Sequence, residues 1–212
     1  AKGMALVPLI DQMRHYGQEW LMNGRGRTPN GTAVTGESHV EPVSSQPMRY
    51  VYVLERGSKS WRKIMAPSRR HASARPSGCR GEDCVIAYDG SSAIQMDQLV
   101  ATFTIREGLL WSDGEPLTAE DSIYSFQLAS DVSTPVSKYV IDRTAVYEAA
   151  DELTVQWWGL PGFIDPEYYT NFWMPLPQHA WSEFTAADLL QLEASSRLPV
   201  GWGPYIIDEW EA

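Results

Sequence analysis

The residue types that most often carry out catalysis are few in this sequence, and they lie far apart. An enzyme site needs a nucleophile, a base and an orienting group close together, or a cluster of metal ligands. Neither a Gly-x-Ser-x-Gly nor a His-Glu-x-x-His motif occurs, and the four histidines are scattered over His15, His39, His71 and His179. We therefore expect no catalytic residue, no cofactor and no metal ion, and we predict that the protein is not an enzyme.

Adjacent carboxylates are a second candidate for chemistry, because such a pair can serve as general acid and general base. They occur at Glu120-Asp121 and at Asp151-Glu152. The first pair stands where a helix is predicted to begin, and the second stands at a predicted turn. Both pairs are thus explained by local structure.

Cys79 and Cys84 are the only two cysteines of the chain. Their spacing, with Gly81 between them, can close a small disulfide loop in an oxidising compartment, and two unpaired thiols are the alternative. A zinc site would need two further ligands. His71 lies nearby, but no second Cys or His pair follows at a suitable spacing, so a metal site is not expected.

Charge is distributed unevenly along the chain, whose formal net charge is -10. Residues 1–80 hold 13 of the 17 Lys and Arg and only 5 of the 27 Asp and Glu. A nucleic acid or an anionic lipid could bind the basic stretch, which consists of Arg62, Lys63, Arg69, Arg70, Arg75 and Arg80. It lies among Ser, Pro and Gly without interleaved aromatic residues, as a solvated loop does, so no nucleic-acid partner is expected.

Aromatic side chains are abundant, with nine Trp and ten Tyr. Trp157 and Trp158 are adjacent on a predicted strand, so they point to opposite faces and at most one can join a given core. An exposed aromatic platform would also suit stacking on a sugar. A stand-alone carbohydrate-binding module is therefore an alternative function.

Few elements are evident in the first part of the chain. Hydrophobic residues at helical spacing predict a helix over 4–22, and the Gly, Ser, Thr, Asn and Pro residues of 23–46 predict a loop. The run YVYVL at 50–54 predicts a strand. From there to Gly78 the sequence has no clear period, which predicts a second irregular region.

Elements become clearer from residue 85 onward. Strands are predicted at 85–88, 99–105, 153–158 and 204–207, and helices capped by Thr at 118–131 and 185–196. Asp89-Gly90 predicts a hairpin turn, and Ile123 and Phe126 are expected on the buried face of the first helix. Because these elements interleave without a regular β-α-β period, the predicted fold class is α+β, with a mixed, mainly antiparallel sheet and flanking helices.

Residues 103–126 read FTIREGLLWSDGEPLTAEDSIYSF, and this stretch resembles the signature of the family 5 extracellular solute-binding proteins, the peptide-binding receptors of ABC importers. Later segments resemble the family in the same order: DELTV at 151–155, PLPQH at 175–179 and VGWGPY at 200–205. The resemblance covers about 85–210. It departs at Trp202, where the family usually has Thr.

The signature is predicted to be architectural. An Asp-Gly turn and a Thr cap would set one strand and one helix at a fixed angle, while a Trp ring fills the angle and its indole N–H finds one partner. The residues assigned this structural role are Trp111, Asp113, Gly114, Thr118, Gly203 and Pro204.

The resemblance implies a two-lobed receptor that captures peptides or similar small solutes outside the cytoplasmic membrane and delivers them to a permease. This chain would be a fragment of it, part of lobe 1 of a periplasmic-binding-protein-like type II fold. Residues 85–212 would form the family segment, and 1–84 a poorly matched part with long loops packed on the same lobe. The partners would be the solute, the remaining lobe and the ABC permease, and the location extracellular or periplasmic, with an anchor in the full-length protein.

Two residues are predicted to contact the solute. TPVSKY at 134–139 is similar to the family segment that borders the ligand cleft, which makes Tyr139 a candidate; a Tyr packed under a loop is the alternative. Trp158 is the second candidate, as the neighbour of Trp157 on the opposite face of its strand.

Overall fold

The computed structural model describes residues 33–54, 61–67, 72–89, 91–192, 195 and 199–203. Its strands are β1 (Val34–Ser45), β2 (Met48–Leu54), β3 (Trp61–Pro67), β4 (Ala72–Ala74), β5 (Ile86–Tyr88), β6 (Ile94–Ile105), β7 (Thr144–Ala149) and β8 (Thr154–Gly159). Its α-helices are α1 (Ala119–Ser130), α2 (Gln178–Trp181) and α3 (Ala186–Leu189), and short 3-10 helices occupy Ile141–Arg143 and Tyr168–Asn171. Within these ranges, no helix has the length and apolar character that crossing a membrane requires.

The described strands form one four-stranded sheet and two hairpin-like pairs. The strand order of the large sheet is β1-β6-β8-β7. β2 pairs with β3, and β4 with β5, both antiparallel. A tight turn connects β7 to its neighbour β8, with the Ala150 N–H donating to the Thr154 carbonyl at 2.8 Å. The predicted α+β class, with a mainly antiparallel sheet and flanking helices, is confirmed.

The chain divides into two compact units, which are described separately below. Among the described residues, unit 1 contains 33–38, 101–157 and those of 167–203. Unit 2 contains those of 39–100 together with 158–166. The signature stretch lies in unit 1, and the two cysteines lie in unit 2.

The core of unit 1 is formed by the buried side chains of β6 and β8 and by those of one face of α1. Phe103 on β6 is fully buried and its ring lies 5.4 Å from that of Phe172. On β8, Val155 and Trp157 are buried while the residues between them are only partly so, as the period of a strand requires. Tyr124 and Leu128 of α1 belong to a buried hydrophobic cluster whose other members are Leu176, Trp181, Ala186 and Leu189.

The helix prediction at 118–131 is confirmed in its bounds, and its buried face is matched in part, since the Phe126 ring packs on the buried rings of Tyr147 and Trp173. Thr118 is the N-cap of α1 and Asp131 its C-cap. Ile123 and Phe126 are only partly buried, whereas the buried positions are Ala119, Asp121, Ser122, Tyr124, Ser125, Leu128 and Ala129. Asp121 and Ser122 are buried because their side chains bond to groups of other segments, which hydrophobic spacing alone does not reveal.

Three expectations for irregular regions and turns were wrong. The loop expected over 23–46 contains β1, whose polar residues form a strand because β6 lies beside it to accept the backbone pairing. The region before Gly78 contains β3 and β4. Asp89 does not lead a hairpin between β5 and β6, since β5 pairs with β4; its carboxylate instead accepts the Ser91 N–H at 2.8 Å.

Other predicted elements are matched in part. The strands expected at 50–54, 85–88, 99–105 and 153–158 correspond to β2, β5, β6 and β8. The helix expected at 185–196 begins after its Thr185 cap, but α3 ends at Leu189. The helix expected at 4–22 and the strand expected at 204–207 lie outside the described residues.

A closed ring of hydrogen bonds lies in the core beside α1. The Ser122 hydroxyl donates to the Trp173 carbonyl, and the Trp173 N–H donates to the Tyr147 hydroxyl oxygen at 2.9 Å. The Tyr147 proton is then directed at the Ser122 oxygen, 2.7 Å away. Burial raises the pKa of Tyr147 above its ordinary value. The ring therefore attaches the segment around Trp173 to α1 and β7.

Replacing Tyr147 by Phe should lower the free energy of unfolding by roughly 1–3 kcal/mol, because the Trp173 N–H loses its acceptor in a buried place. Urea denaturation measures this loss. Tyr169→Phe is the matched control, since the Tyr169 ring is exposed and the same oxygen is removed. Equal stabilities of the two variants would contradict the assigned role of the ring.

Candidate functional site

The signature stretch folds into a tight turn followed directly by α1. The Trp111 N–H donates to the Glu115 carbonyl at 2.8 Å, and the Gly114 N–H donates to the Trp111 carbonyl at 3.0 Å. Gly114 has φ of +94°, a backbone conformation that glycine adopts without steric cost. Leu110 and Pro116 form an antiparallel bridge across the turn. The predicted Asp113-Gly114 turn is thus present.

Asp121 lies at the centre of this arrangement and is buried. Its Oδ2 accepts the Thr118 N–H at 2.9 Å, which caps α1, and also the Trp111 indole N–H at 3.2 Å. Its Oδ1 accepts the Gln178 N–H at 3.1 Å, and its main-chain carbonyl accepts the Leu176 N–H at 3.2 Å. One side chain therefore connects the signature turn, the start of α1 and the PLPQH segment.

A second carboxylate joins the turn to the PLPQH segment. His179 Nε2 lies 2.8 Å from Asp113 Oδ2, and the rings of His179 and Trp111 are 6.0 Å apart. The hydrogen bond from His179, with a further one from the Glu115 N–H, holds the pKa of Asp113 below its usual value. Asp113 therefore attaches the PLPQH segment to the turn, in addition to its role within the turn.

The two remaining family-like segments also reach this place. The Ala119 N–H donates to the Glu152 carbonyl at 2.8 Å. The Ser112 N–H donates to the Gly201 carbonyl at 2.7 Å, and the Gly201 N–H donates back to Ser112 Oγ at 3.2 Å. We call the residues that meet here the signature corner: Trp111, Ser112, Asp113, Thr118, Asp121, Glu152, Gln178, His179 and Gly201.

The segment that follows α1 carries the exposed Tyr139. The Lys138 ammonium donates to the carbonyls of Ala129, Asp131 and Thr134, the last two at 2.7 and 3.0 Å. Ala129 lies in the last turn of α1, where a helix leaves its carbonyls unpaired, and a cation suits the negative end of the helix dipole. Burial of the ammonium lowers the pKa of Lys138. Residues 131–138 are thereby fixed to the end of α1.

Tyr139 itself presents 57% of its surface to solvent. The Arg143 guanidinium carbon lies 3.7 Å from the centre of its ring, and Arg143 Nη1 donates to the Tyr139 carbonyl at 3.0 Å. This combination of cation and aromatic ring on a held segment can offer a solute both packing area and charge.

The remaining predicted site residues are placed as follows. Trp157 is fully buried and its indole N–H donates to Thr144 Oγ1 at 2.8 Å, whereas Trp158, in unit 2, is partly buried. Gly203 is exposed, and Pro204 lies outside the described residues. Cys79 and Cys84 are joined by a disulfide. No group of three or more His, Cys, Asp and Glu residues is arranged around a possible metal ion in the part of the chain that the structure describes.

The family of the chain follows from comparison with known proteins. Residues 88–212, more than half of the chain, match the model for the middle region of the bacterial extracellular solute-binding proteins, family 5. The chain belongs to this family. The family 5 resemblance of the signature stretch is therefore confirmed, and a stand-alone carbohydrate-binding module is not supported.

Individual relatives of this family 5 chain match over a limited length. A Brucella ovis protein named for peptide binding in an ABC transporter is 32% identical over 126 residues, which cover 58% of this chain and 23% of the relative. A dipeptide-binding protein of Lactococcus lactis is 30% identical over 45% of this chain and 18% of its own length. A crystal structure of a periplasmic oligopeptide-binding protein of Thermotoga maritima superposes with a TM-score of 0.45 at 30% identity, covering 53% of this chain and 21% of the other. The chain thus spans about a quarter or less of the length of these relatives.

The buried position of Asp121 can be tested against a matched residue, because Asp188 occupies the same place after the Thr185 cap of α3 and is exposed. Asp121→Ala should lower the free energy of unfolding by roughly 3 kcal/mol or more, since several buried donors lose their acceptor. Asp188→Ala should cost much less, because the bonds that it makes to Thr185 are exposed to solvent. Chemical denaturation distinguishes the two, and similar losses would show that Asp121 acts only as a helix cap.

The Asp113 interaction should make stability depend on acidity. A carboxyl whose pKa is lower in the folded state stabilises the fold above its unfolded pKa, and this contribution is lost as the pH falls through the folded pKa. Wild type should therefore exceed Asp113→Asn in stability near pH 6, by under about 1 kcal/mol at this half-exposed site, and the gap should close below about pH 4. Urea denaturation from pH 3 to 6 measures the gap; a constant gap would contradict the assignment.

Proposed function

We propose that this chain is part of the substrate-binding component of an ABC importer, which captures peptides or similar small solutes outside the cytoplasmic membrane and delivers them to the permease. The observation that carries the proposal is the family match over residues 88–212, in which the separate family-like segments converge on the signature corner. The names of the Brucella ovis and Lactococcus lactis relatives, both referring to peptide binding, support the solute class.

The place of the chain in such a receptor is part of the proposal. Residues 85–212 form a segment of lobe 1 of a type II fold, and 1–84 pack on the same lobe. The short coverage of the relatives supports a longer protein that includes a second lobe. In the full-length receptor a membrane anchor would keep the protein beside its permease, in the periplasm or at the cell surface.

The mechanism we propose is binding followed by closure of the two lobes over the solute. A solute that contacts both lobes shifts the population towards the closed form, and no covalent bond is made or broken. No nucleophile, base or cofactor is needed for such a cycle. The protein is accordingly proposed to act as a receptor and not as an enzyme.

Within unit 1, Tyr139 is the side chain best placed to contact the solute. It is exposed, while the signature residues Trp111 and Asp121 are buried and engaged with one another. Its backbone is held from two sides, by Lys138 before it and Arg143 after it. A held aromatic side chain loses little conformational entropy when a solute binds. Trp158, partly buried in unit 2, is the second proposed contact.

Tyr139→Ala in the full-length receptor should weaken peptide binding about tenfold, which corresponds to about 1.4 kcal/mol of lost contact. Isothermal titration with peptides selected from a pool by the wild-type receptor measures the loss. Tyr169→Ala, which removes an exposed Tyr elsewhere in unit 1, should bind like wild type.

The outcomes separate the receptor function from the residue assignment. If no peptide of the pool raises the melting temperature of the wild-type receptor, the proposed solute class is wrong. If the wild type binds and both Tyr variants bind equally well, the receptor function stands and the contact at Tyr139 is wrong.

A further inference from the structure

The disulfide of unit 2 closes a loop that is attached to β6 at several points. Cys79 and Cys84 are five positions apart, and the loop enters at Pro76, whose carbonyl accepts the Cys79 N–H at 3.0 Å. The Ser77 N–H donates to the Gln95 carbonyl at 2.8 Å, which attaches the start of the loop to β6. We call residues 75–84 the disulfide loop.

Asp97 on β6 is the main anchor of the disulfide loop. Its side chain is only 11% exposed. It accepts hydrogen bonds from the Ser77 hydroxyl, from the Gly78 N–H at 3.3 Å and from Arg80 Nη1 at 2.8 Å. These hydrogen bonds lower the pKa of Asp97, and the one from Ser77 lowers it most. All three donors lie in the four residues from Ser77 to Arg80, so the buried charge depends on the conformation of the loop.

The geometry of the loop depends on covalent closure. Gly78 has φ of +78°, and the Arg80 side chain reaches Asp97 although 71% of it is exposed. An exposed guanidinium has many alternative conformations, so its bond to Asp97 carries a high entropic cost unless the backbone is held. The disulfide holds it on one side, and Arg75 holds the other by donating to the Gly81 carbonyl at 2.9 Å.

Asp97 also connects the loop to the segment that carries Trp158. Its main-chain carbonyl accepts the Gly162 N–H at 2.7 Å, and the neighbouring Gln98 side chain donates to the Gly159 carbonyl at 2.8 Å. A methyl group added at Gly162 would lie 2.6 Å from Met96 Cε, so this segment packs closely on β6. The disulfide loop, β6 and the segment 158–166 therefore share one polar centre within unit 2.

We propose that the Cys79–Cys84 pair is a redox modification site of this protein, whose oxidation locks the disulfide loop onto Asp97 and whose reduction releases the loop while the rest of the chain stays folded. The proposal is independent of the solute that the receptor carries. Its reaction partners are thiol–disulfide exchange reagents: a disulfide oxidant for closure and a dithiol for opening.

The reduction is balanced as a two-electron exchange. A thiolate of the dithiol attacks one sulfur of the pair, the bond between Cys79 and Cys84 breaks, and a mixed disulfide forms. The second thiol of the reductant then displaces the protein sulfur. At the end of the exchange Cys79 and Cys84 are thiols, which have gained two electrons and two protons, and the dithiol has become a disulfide.

Trypsin provides a local test, because Arg80 is followed by Gly81 inside the loop, whereas Arg75 is followed by Pro76 and resists cleavage. A cut at Arg80 lies between the two cysteines, so it separates the chain into two pieces only after reduction. The oxidised protein is compared with protein that has been reduced by dithiothreitol and alkylated, and with the double variant Cys79→Ser, Cys84→Ser. Cleavage at Lys138, in unit 1, is followed in the same samples as a reference for global unfolding.

Reduction of the disulfide, which closes a loop of six residues, should speed cleavage at Arg80 roughly tenfold or more, because the bond restricts the conformations of that loop. The rate of cleavage at Lys138 should not change. Asp97→Asn in the oxidised protein should also speed cleavage at Arg80, by a smaller factor, because it weakens the anchor. Equal cleavage of oxidised and reduced protein would overturn the proposal. Parallel acceleration at Lys138, or two free thiols in protein purified from an oxidising compartment, would overturn it as well.

Discussion

The buried carboxylate of Asp121 is the constraint on which unit 1 depends. A carboxylate without hydrogen-bond partners is costly inside a protein, and here backbone and indole N–H groups from three separate segments supply them. Each donor also gains, because the first N–H groups of α1 and the indole of Trp111 would be unsatisfied without it. Because one carboxylate accepts from a turn, a helix start and a distant segment, it holds the three segments next to one another.

Both ends of α1 are satisfied by groups whose charge suits the helix dipole. Asp121 lies at the positive end, and Lys138 returns along the chain to the negative end. Between them, α1 packs through small and polar residues such as Ser122, whose hydroxyl is part of the ring with Tyr147 and Trp173. A helix held at both ends and bonded along its face is a rigid support for Tyr139.

Unit 2 is also organised around a nearly buried carboxylate, but a disulfide restrains the segment that surrounds it. Asp97, like Asp121, is a nearly buried carboxylate that gathers donors from another segment, but one of its donors is an exposed Arg side chain. The segment that supplies the donors is short and contains Gly78, so hydrogen bonds alone restrain it weakly. The disulfide adds the restraint that unit 1 obtains from a packed hydrophobic cluster.

Local chemistry was enough to predict much of the fold. The Thr caps at Thr118 and Thr185, the Asp113-Gly114 turn and the strands around 99–105 and 153–158 all follow from short-range preferences, and the signature stretch identified the family. Tertiary structure alone decided that β1 would form from polar residues, that α1 would bury Ser122 and not Ile123, and that Asp121 would serve partners far along the chain. The physical reason is that strand pairing and the satisfaction of a buried charge depend on which segments meet in space, and spacing along the sequence does not contain that information.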